Sequence, residues 1–101
     1  MRINVVGRQF EVTDAIRAHA EEKAHKLTRY DDLVQQIDIR VWKESDTRED
    51  YAAEIVVDVR SHGDFVSKAE GHDLYNTIDD AVTKADRQLH DHREKLKELN
   101  R

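Results

Sequence analysis

An apolar stripe in the last third of the chain limits what this sequence can fold into more than any other feature. Its members recur at steps of three, four and seven residues, which places them on one face of an α-helix. They are Leu74, Ile78, Val82, Ala85, Leu89, Leu96 and Leu99. Such a face has to pack against other elements, so the stripe predicts a long helix that closes a core. At ~1.5 Å per residue this helix would be about 39 Å long, and its last turns are expected to extend beyond the sheet.

Four stretches upstream of this helix carry the alternation of apolar and polar residues that is typical of β-strands. They span residues 2–6, 37–43, 51–60 and 65–70. Between the first two, an amphipathic helix is predicted to begin after Thr13, the N-cap, and to run to about Tyr30. Its apolar face comprises Ile16, Ala20, Ala24, Leu27 and Tyr30.

The order strand, helix, strand, strand, strand, helix predicts an α+β fold. We expect a four-stranded mixed sheet with two helices packed on one face. A helical crossover joins the first two strands, which should therefore be parallel, and the later strands should pair antiparallel. The turn at Gly71 leads into the last helix, with Asp73 as its cap. A chain of 101 residues is sufficient for one domain, here residues 1–101.

Several function classes find no support in the sequence. There is no cysteine, no glycine-rich phosphate loop, no apolar run long enough to span a membrane, and no nucleophile with a histidine at a known spacing. His90 and His92 lie about 200° apart on a helix, and His19 and His25 are about 120° from alignment, so neither pair can share a metal ion. We therefore predict no catalytic residues, metal, cofactor or small-molecule substrate. His92, which lies near the apolar stripe, is expected to be a half-buried packing residue.

The charge distribution is uneven. The net charge of −5 argues against nucleic-acid binding. Residues 44–58, however, hold six carboxylates against Arg48 alone, which accounts for that charge, whereas residues 81–101 hold six Lys and Arg against four acids. The sequence thus predicts an acidic hairpin and a locally basic last helix.

Cations on the two helices form the candidate binding surface. On the last helix Lys84, Arg87 and Lys95 make one row, and His90, Arg93, Lys97 and Arg101 make a second row beside it. Four cations of the first helix would extend this band, namely Arg17, Lys23, Lys26 and Arg29. Spacing alone leaves two interpretations open. In the first, the band contacts RNA. In the second, its cations complement the helix dipole and pair with Glu94 and Glu98.

Sequence motifs along nearly the whole chain bear on this choice. They are Gly7 with residues 11–17 (EVTDAIR), residues 26–30 (KLTRY), residues 69–79 (AEGHDLYNTID), Lys84, residues 87–89 (RQL) and residues 92–97 (HREKLK). Through them the chain resembles the ribosome hibernation-promoting factors, the family of the ribosome-associated inhibitor, once named sigma-factor modulation proteins. The resemblance implies a β-α-β-β-β-α fold related to double-stranded-RNA-binding domains.

The same resemblance implies a function. The protein would be cytoplasmic and would inhibit translation by occupying the mRNA and tRNA channel of the small ribosomal subunit during stationary phase or stress. The rRNA-facing cations of the family carry over to Arg17, Lys23, Lys26, Arg29, Lys84, Arg87, Arg93, Lys95 and Lys97. The chain is similar to the short form, without a C-terminal dimerisation domain, and a separate ribosome modulation factor is a candidate partner.

Two acidic residues depart from the family pattern. Asp91 stands where the family often has a cation, and Asp86 adjoins Arg87, so the band is expected to be weaker than usual or differently placed. The alternative function is a protein-interaction module, such as a regulator of a transcription factor. It would use the acidic hairpin and the outer face of the sheet, where Trp42, Val56 and Val66 form an apolar cluster.

Overall fold

A computed structural model describes residues 1–46 and 48–99, and it has the predicted order of strands and helices. The elements are β1 (Arg2–Gly7), α1 (Asp14–Ala24), a 3-10 helix (His25–Tyr30), β2 (Val34–Lys43), β3 (Tyr51–Val59), β4 (Gly63–Gly71) and α2 (Leu74–Leu99). The predicted β-α-β-β-β-α fold is thereby confirmed. Arg101, a member of the second cationic row, lies outside the described residues.

The sheet has the strand order β1-β2-β3-β4. β1 pairs parallel to β2, with Val5 opposite Ile39, as expected for strands that a helical crossover joins. β2, β3 and β4 pair antiparallel, so Ile39 faces Ile55 and Ile55 faces Ser67. α1 packs beside β1, and α2 packs over β3 and β4. The mixed sheet and the pairing directions agree with the sequence prediction.

The core lies between the helices and one face of this sheet. Alternate residues of the central strands, such as Ile37, Ile39 and Val57, have no exposed surface. Ser67 is a buried polar residue of β4, and its hydroxyl donates to the carbonyl of Ala81 at 3.1 Å. This bond satisfies a group that would otherwise be costly to bury, and it fixes α2 above β4.

α1 begins as the sequence predicts, and it ends in a tighter helix. The backbone N–H of Ile16 donates to the Thr13 hydroxyl at 3.2 Å, which caps the helix. The predicted continuous helix to Tyr30 is wrong in one respect, because residues after Ala24 form a 3-10 helix. Residues three apart point the same way in such a helix. Leu27 and Tyr30 are consequently both buried.

α2 extends well beyond the core that it closes. Its buried apolar residues end at Leu89, Leu96 is half-buried, and the Leu99 side chain is 80% exposed. The molecule measures 53 × 20 × 19 Å, so the predicted overhang of the last turns is confirmed. Despite the length of α2, no helix of the described residues has an apolar stretch that would span a membrane.

The face of the sheet that the helices leave open is more polar than the alternative function requires. Trp42 is half-buried, and its ring lies between the guanidinium of Arg8 at 4.5 Å and the ammonium of Lys68 at 5.3 Å. Its indole N–H donates to Glu44 at 3.1 Å. Of the predicted apolar cluster, Trp42 and Val56 are half-buried and Val66 is exposed, at 51%. Cations therefore cover the Trp42 ring and leave Val66 as the exposed apolar member of the cluster.

Candidate nucleic-acid interface

The cations predicted on the first helix lie on different sides of it. Arg17 donates from its guanidinium to the carbonyl of Val5 in β1 at 3.0 Å, so it lies at the outer edge of the sheet. Lys23 is four residues beyond His19, which contacts α2, and it shares that flank of the helix. Lys23 and Lys26 are exposed and have no ion-pair partner among residues 1–46 and 48–99. They are free to meet a ligand.

Side-chain contacts join α1 and the 3-10 helix to α2. His19 Nε2 lies 2.7 Å from Asp79 Oδ1, and the His19 ring meets the Tyr75 ring edge to face at 4.8 Å. Further along, Arg29 donates to Asp86 Oδ1 at 2.5 Å. These contacts fix the relative position of the two helices.

Tyr30 lies at the centre of a cationic cluster in the same cleft. Its buried ring is flanked by the guanidinium groups of Arg29 at 5.1 Å and Arg93 at 4.9 Å, while Arg93 also donates to Asp32. Burial, reinforced by the negative charge of Asp86, raises the pKa of the Tyr30 hydroxyl. The hydrogen bond to Asp86 raises the pKa of Arg29. Each of the two arginines already holds a carboxylate.

The other predicted row begins on the opposite flank of α2. Lys84 donates from Nζ to the carbonyl of Lys68 in β4 at 2.7 Å. Arg87 and Lys95 are exposed and have no partner within the part of the chain that the structure describes, whereas Lys97 lies 3.4 Å from Glu94. Lys84 therefore faces β4, whereas Arg93 faces Tyr30 and Asp32, so these two members of the predicted band lie on opposite flanks of α2.

Asp86 and Asp91 lie beside different cations of the two helices. Asp86 turns into the cleft between the helices, where it pairs with Arg29. Asp91 is on the β4 side of α2, and it lines a cavity there together with Gln88 and Lys95. Asp91 therefore reduces the positive charge beside Lys95 on the β4 side of α2, while Asp86 reduces that of the Arg29 and Arg93 cluster.

His92 has the half-buried packing role that its position predicts. Its ring lies 4.8 Å from that of His62 and 5.4 Å from that of Phe65. Burial, together with the nearby charges of His62 and Lys95, lowers the pKa of His92 below its ordinary value of 6.5. The contact with His62 was not predicted, because nothing in the spacing of a turn residue and a helix residue thirty positions apart indicates that they meet.

Acid should destabilise the fold partly through His92. The unfolded chain binds a proton at this ring more readily than the folded chain does, so stability is lost as the pH falls below about 6.5 and through the lower folded pKa. We expect His92→Gln to reduce the loss of unfolding free energy between pH 7 and pH 5, measured by urea denaturation. His25→Gln, at an exposed histidine outside this cluster, is the control. An unchanged pH dependence in His92→Gln would contradict this account.

No group of three or more histidine, cysteine or acidic side chains in the described residues could hold a metal ion. The exposed functional groups are instead cations on two helices. Residues 3–97 match the family model described as "Sigma 54 modulation protein / S30EA ribosomal protein". The chain belongs to this family.

Individual members of the S30EA family are similar to the chain over most of its length. It is 36% identical to the ribosome hibernation promoting factor of Azotobacter vinelandii, over 94% of this chain and 85% of the relative. It is 33% identical to the ribosome hibernation promoting factor of Escherichia coli K12, over 97% of this chain and 99% of the relative. The Bacillus subtilis ribosome hibernation promotion factor is 33% identical, and there the match covers 95% of this chain and 50% of the relative.

Solved structures show the same fold. The N-terminal domain of Thermus thermophilus Protein Y superposes with a TM-score of 0.76 at 34% identity, over 88% of this chain and 96% of that one. A ribosomal subunit interface protein from Coxiella burnetii superposes with a TM-score of 0.81 at 22% identity. The superposition covers 93% of this chain and 99% of that one. The S30EA architecture therefore extends across the described elements.

Proposed function

We infer that this protein is a ribosome-binding hibernation factor. The observation that carries this inference is the S30EA family match over residues 3–97. Relatives named ribosome hibernation promoting factor align along nearly the whole chain. The names of these relatives concern the ribosome. They give no support to the alternative, a protein-interaction module that regulates a transcription factor.

We propose further that it binds the rRNA of the small subunit, in the channel for mRNA and tRNA. The support is an uneven charge distribution along α2. Beside its start, His72 lies 2.8 Å from Asp50 of the acidic loop. Further along the helix, about 20 Å and about 30 Å from its start at ~1.5 Å per residue, Arg87 and Lys95 are exposed without partners among the described residues. A backbone-binding surface needs only such cations, which contact phosphates irrespective of sequence.

We propose that the protein acts by occupancy and catalyses no reaction. Its family is one of ribosome hibernation factors, and binding alone would exclude mRNA and tRNA from an idle ribosome. The proposal includes a cytoplasmic location, which ribosome binding would require. A single ribosome-binding domain without a dimerisation domain, and a separate ribosome modulation factor as partner, remain predictions.

Competition with tRNA tests this occupancy. Purified small subunits programmed with mRNA should lose bound tRNA as the protein is added, and excess tRNA should displace the protein. Simultaneous binding of both at saturating concentrations would contradict the proposed location, although it would leave ribosome binding itself intact.

Removing the carboxylate of Asp86 should strengthen RNA binding. Asp86 holds Arg29 at 2.5 Å, and both groups are accessible to solvent, so the pair contributes little to stability. We expect Asp86→Asn to bind small subunits severalfold more tightly, with a salt slope steeper by about one unit, measured by filter binding. Asp80→Asn, at an exposed acid of α2 without a partner in the described chain, is the control for net charge alone. Equal gains in both variants would show that Arg29 is not the group released.

A further inference from the structure

An open cavity of about 400 Å³ lies where the overhanging part of α2 meets the turn between β3 and β4. Three rings line it, those of His62, Phe65 and His92. Ser61 and Gly63 have φ values of 60° and 101°, so the backbone turns sharply on either side of His62. This turn holds an exposed histidine against the side of α2.

The rings of the cavity form one aromatic group. The His62 centroid lies 4.3 Å from that of Phe65 and 4.8 Å from that of His92, and Phe65 and His92 are 5.4 Å apart. His62 is exposed, whereas Phe65 and His92 are half-buried. Imidazole and phenyl faces are surfaces on which planar ligands stack.

Polar groups in the same cavity distinguish it from an apolar groove. Gln88 donates from Nε2 to the carbonyl of Val66 at 3.1 Å, which assigns its other atom, Oε1, as an acceptor. That oxygen is buried and has no hydrogen-bond partner in the described residues. Buried acceptors without a donor are uncommon in native proteins. The Asp91 carboxylate is a further acceptor, and the Lys95 ammonium, which also lines the cavity, has no ion-pair partner within residues 1–46 and 48–99.

We propose that this cavity binds an unstacked nucleobase of single-stranded RNA, preferably one that bears an exocyclic amino group. The rings provide a stacking surface, the Asp91 carboxylate provides an acceptor for the amino group, and Lys95 provides a contact for the adjoining phosphate. Gln88 Oε1 becomes a second acceptor when its side chain turns towards the base. Lys84 lies on the same flank of α2, so a strand that follows these lysines would pass the mouth of the cavity. The proposal rests on the proposed RNA-binding function and adds a base contact to it.

Hexamers of cytidine, uridine and abasic ribose phosphate test the proposal, because they carry the same backbone charge and differ only in the base. Measured by fluorescence anisotropy at constant salt, wild-type protein should bind the cytidine hexamer about fivefold or more tightly than the abasic hexamer. The uridine hexamer, which has a carbonyl in place of the amino group, should fall between them. His62→Ser should abolish the preference, while His25→Ser, at an exposed histidine of the 3-10 helix, should retain it.

Other outcomes would overturn the proposal. Equal binding of the cytidine and abasic hexamers, or an unchanged preference in His62→Ser, would show that no base enters the cavity. NMR shifts of His62 and Phe65 caused by an apolar peptide, and not by the cytidine hexamer, would assign the cavity to a protein segment. Co-sedimentation of the same protein with small subunits separates these failures from failure of the proposed function, since phosphate contacts alone would preserve ribosome binding.

Discussion

Small-subunit binding should depend much less on salt when Lys23, Lys26, Arg87 and Lys95 are replaced by glutamine. We expect this set to reduce the salt dependence more than any other set of four substitutions that each remove one positive charge. These side chains are exposed and have no partner in the described residues, so a phosphate can reach each of them without breaking a bond within the protein. If each contacts one phosphate, the slope of log affinity against log salt should fall by roughly three units, and binding should weaken accordingly. Titrations at four or five salt concentrations measure this.

A matched variant separates contact from net charge. Arg2, Lys43, Arg48 and Arg60 are also exposed, and they lie outside the two helices. Their replacement by glutamine removes the same formal charge and should leave the slope almost unchanged. A similar decrease in both variants would show that net charge, and not the helical surface, governs binding.

The second large effect concerns the folded state. Leu89 is fully buried and is the last buried apolar residue of α2, whereas Leu99 is 80% exposed. We expect Leu89→Ala to lower the free energy of unfolding by about 2–5 kcal/mol, the usual range for a core leucine. Leu99→Ala should change it by less than about 0.5 kcal/mol. Urea denaturation of both variants measures the difference, and comparable losses would show that the core continues to the end of the helix.

The periodic spacing of apolar residues predicts much of this fold, because one face of each strand or helix packs on the core and the other faces solvent. Alternation around Ile37 and Ile39 identifies β2, and the turn formers around Gly63 identify the β3 to β4 hairpin. The end of α1 is less predictable, since the same apolar spacing at Leu27 and Tyr30 suits an α-helix or a 3-10 helix. Burial of both side chains favours the tighter form.

The sequence suggests candidate RNA-binding cations residue by residue, but it does not predict how they are arranged in space. Helical spacing places Arg93 and Lys84 on one element, and only packing shows that one faces Asp32 and the other faces β4. The pairing of Arg29 with Asp86 joins residues 57 positions apart. Contacts of this kind depend on how α1 lies beside α2, which sequence periodicity does not specify.

Co-sedimentation with separated ribosomal subunits tests the central claim most directly. The protein should pellet with small subunits at low salt, should not pellet with large subunits, and should be released as the salt concentration rises. Failure to bind the small subunit at low salt, or binding that salt does not weaken, would contradict the account.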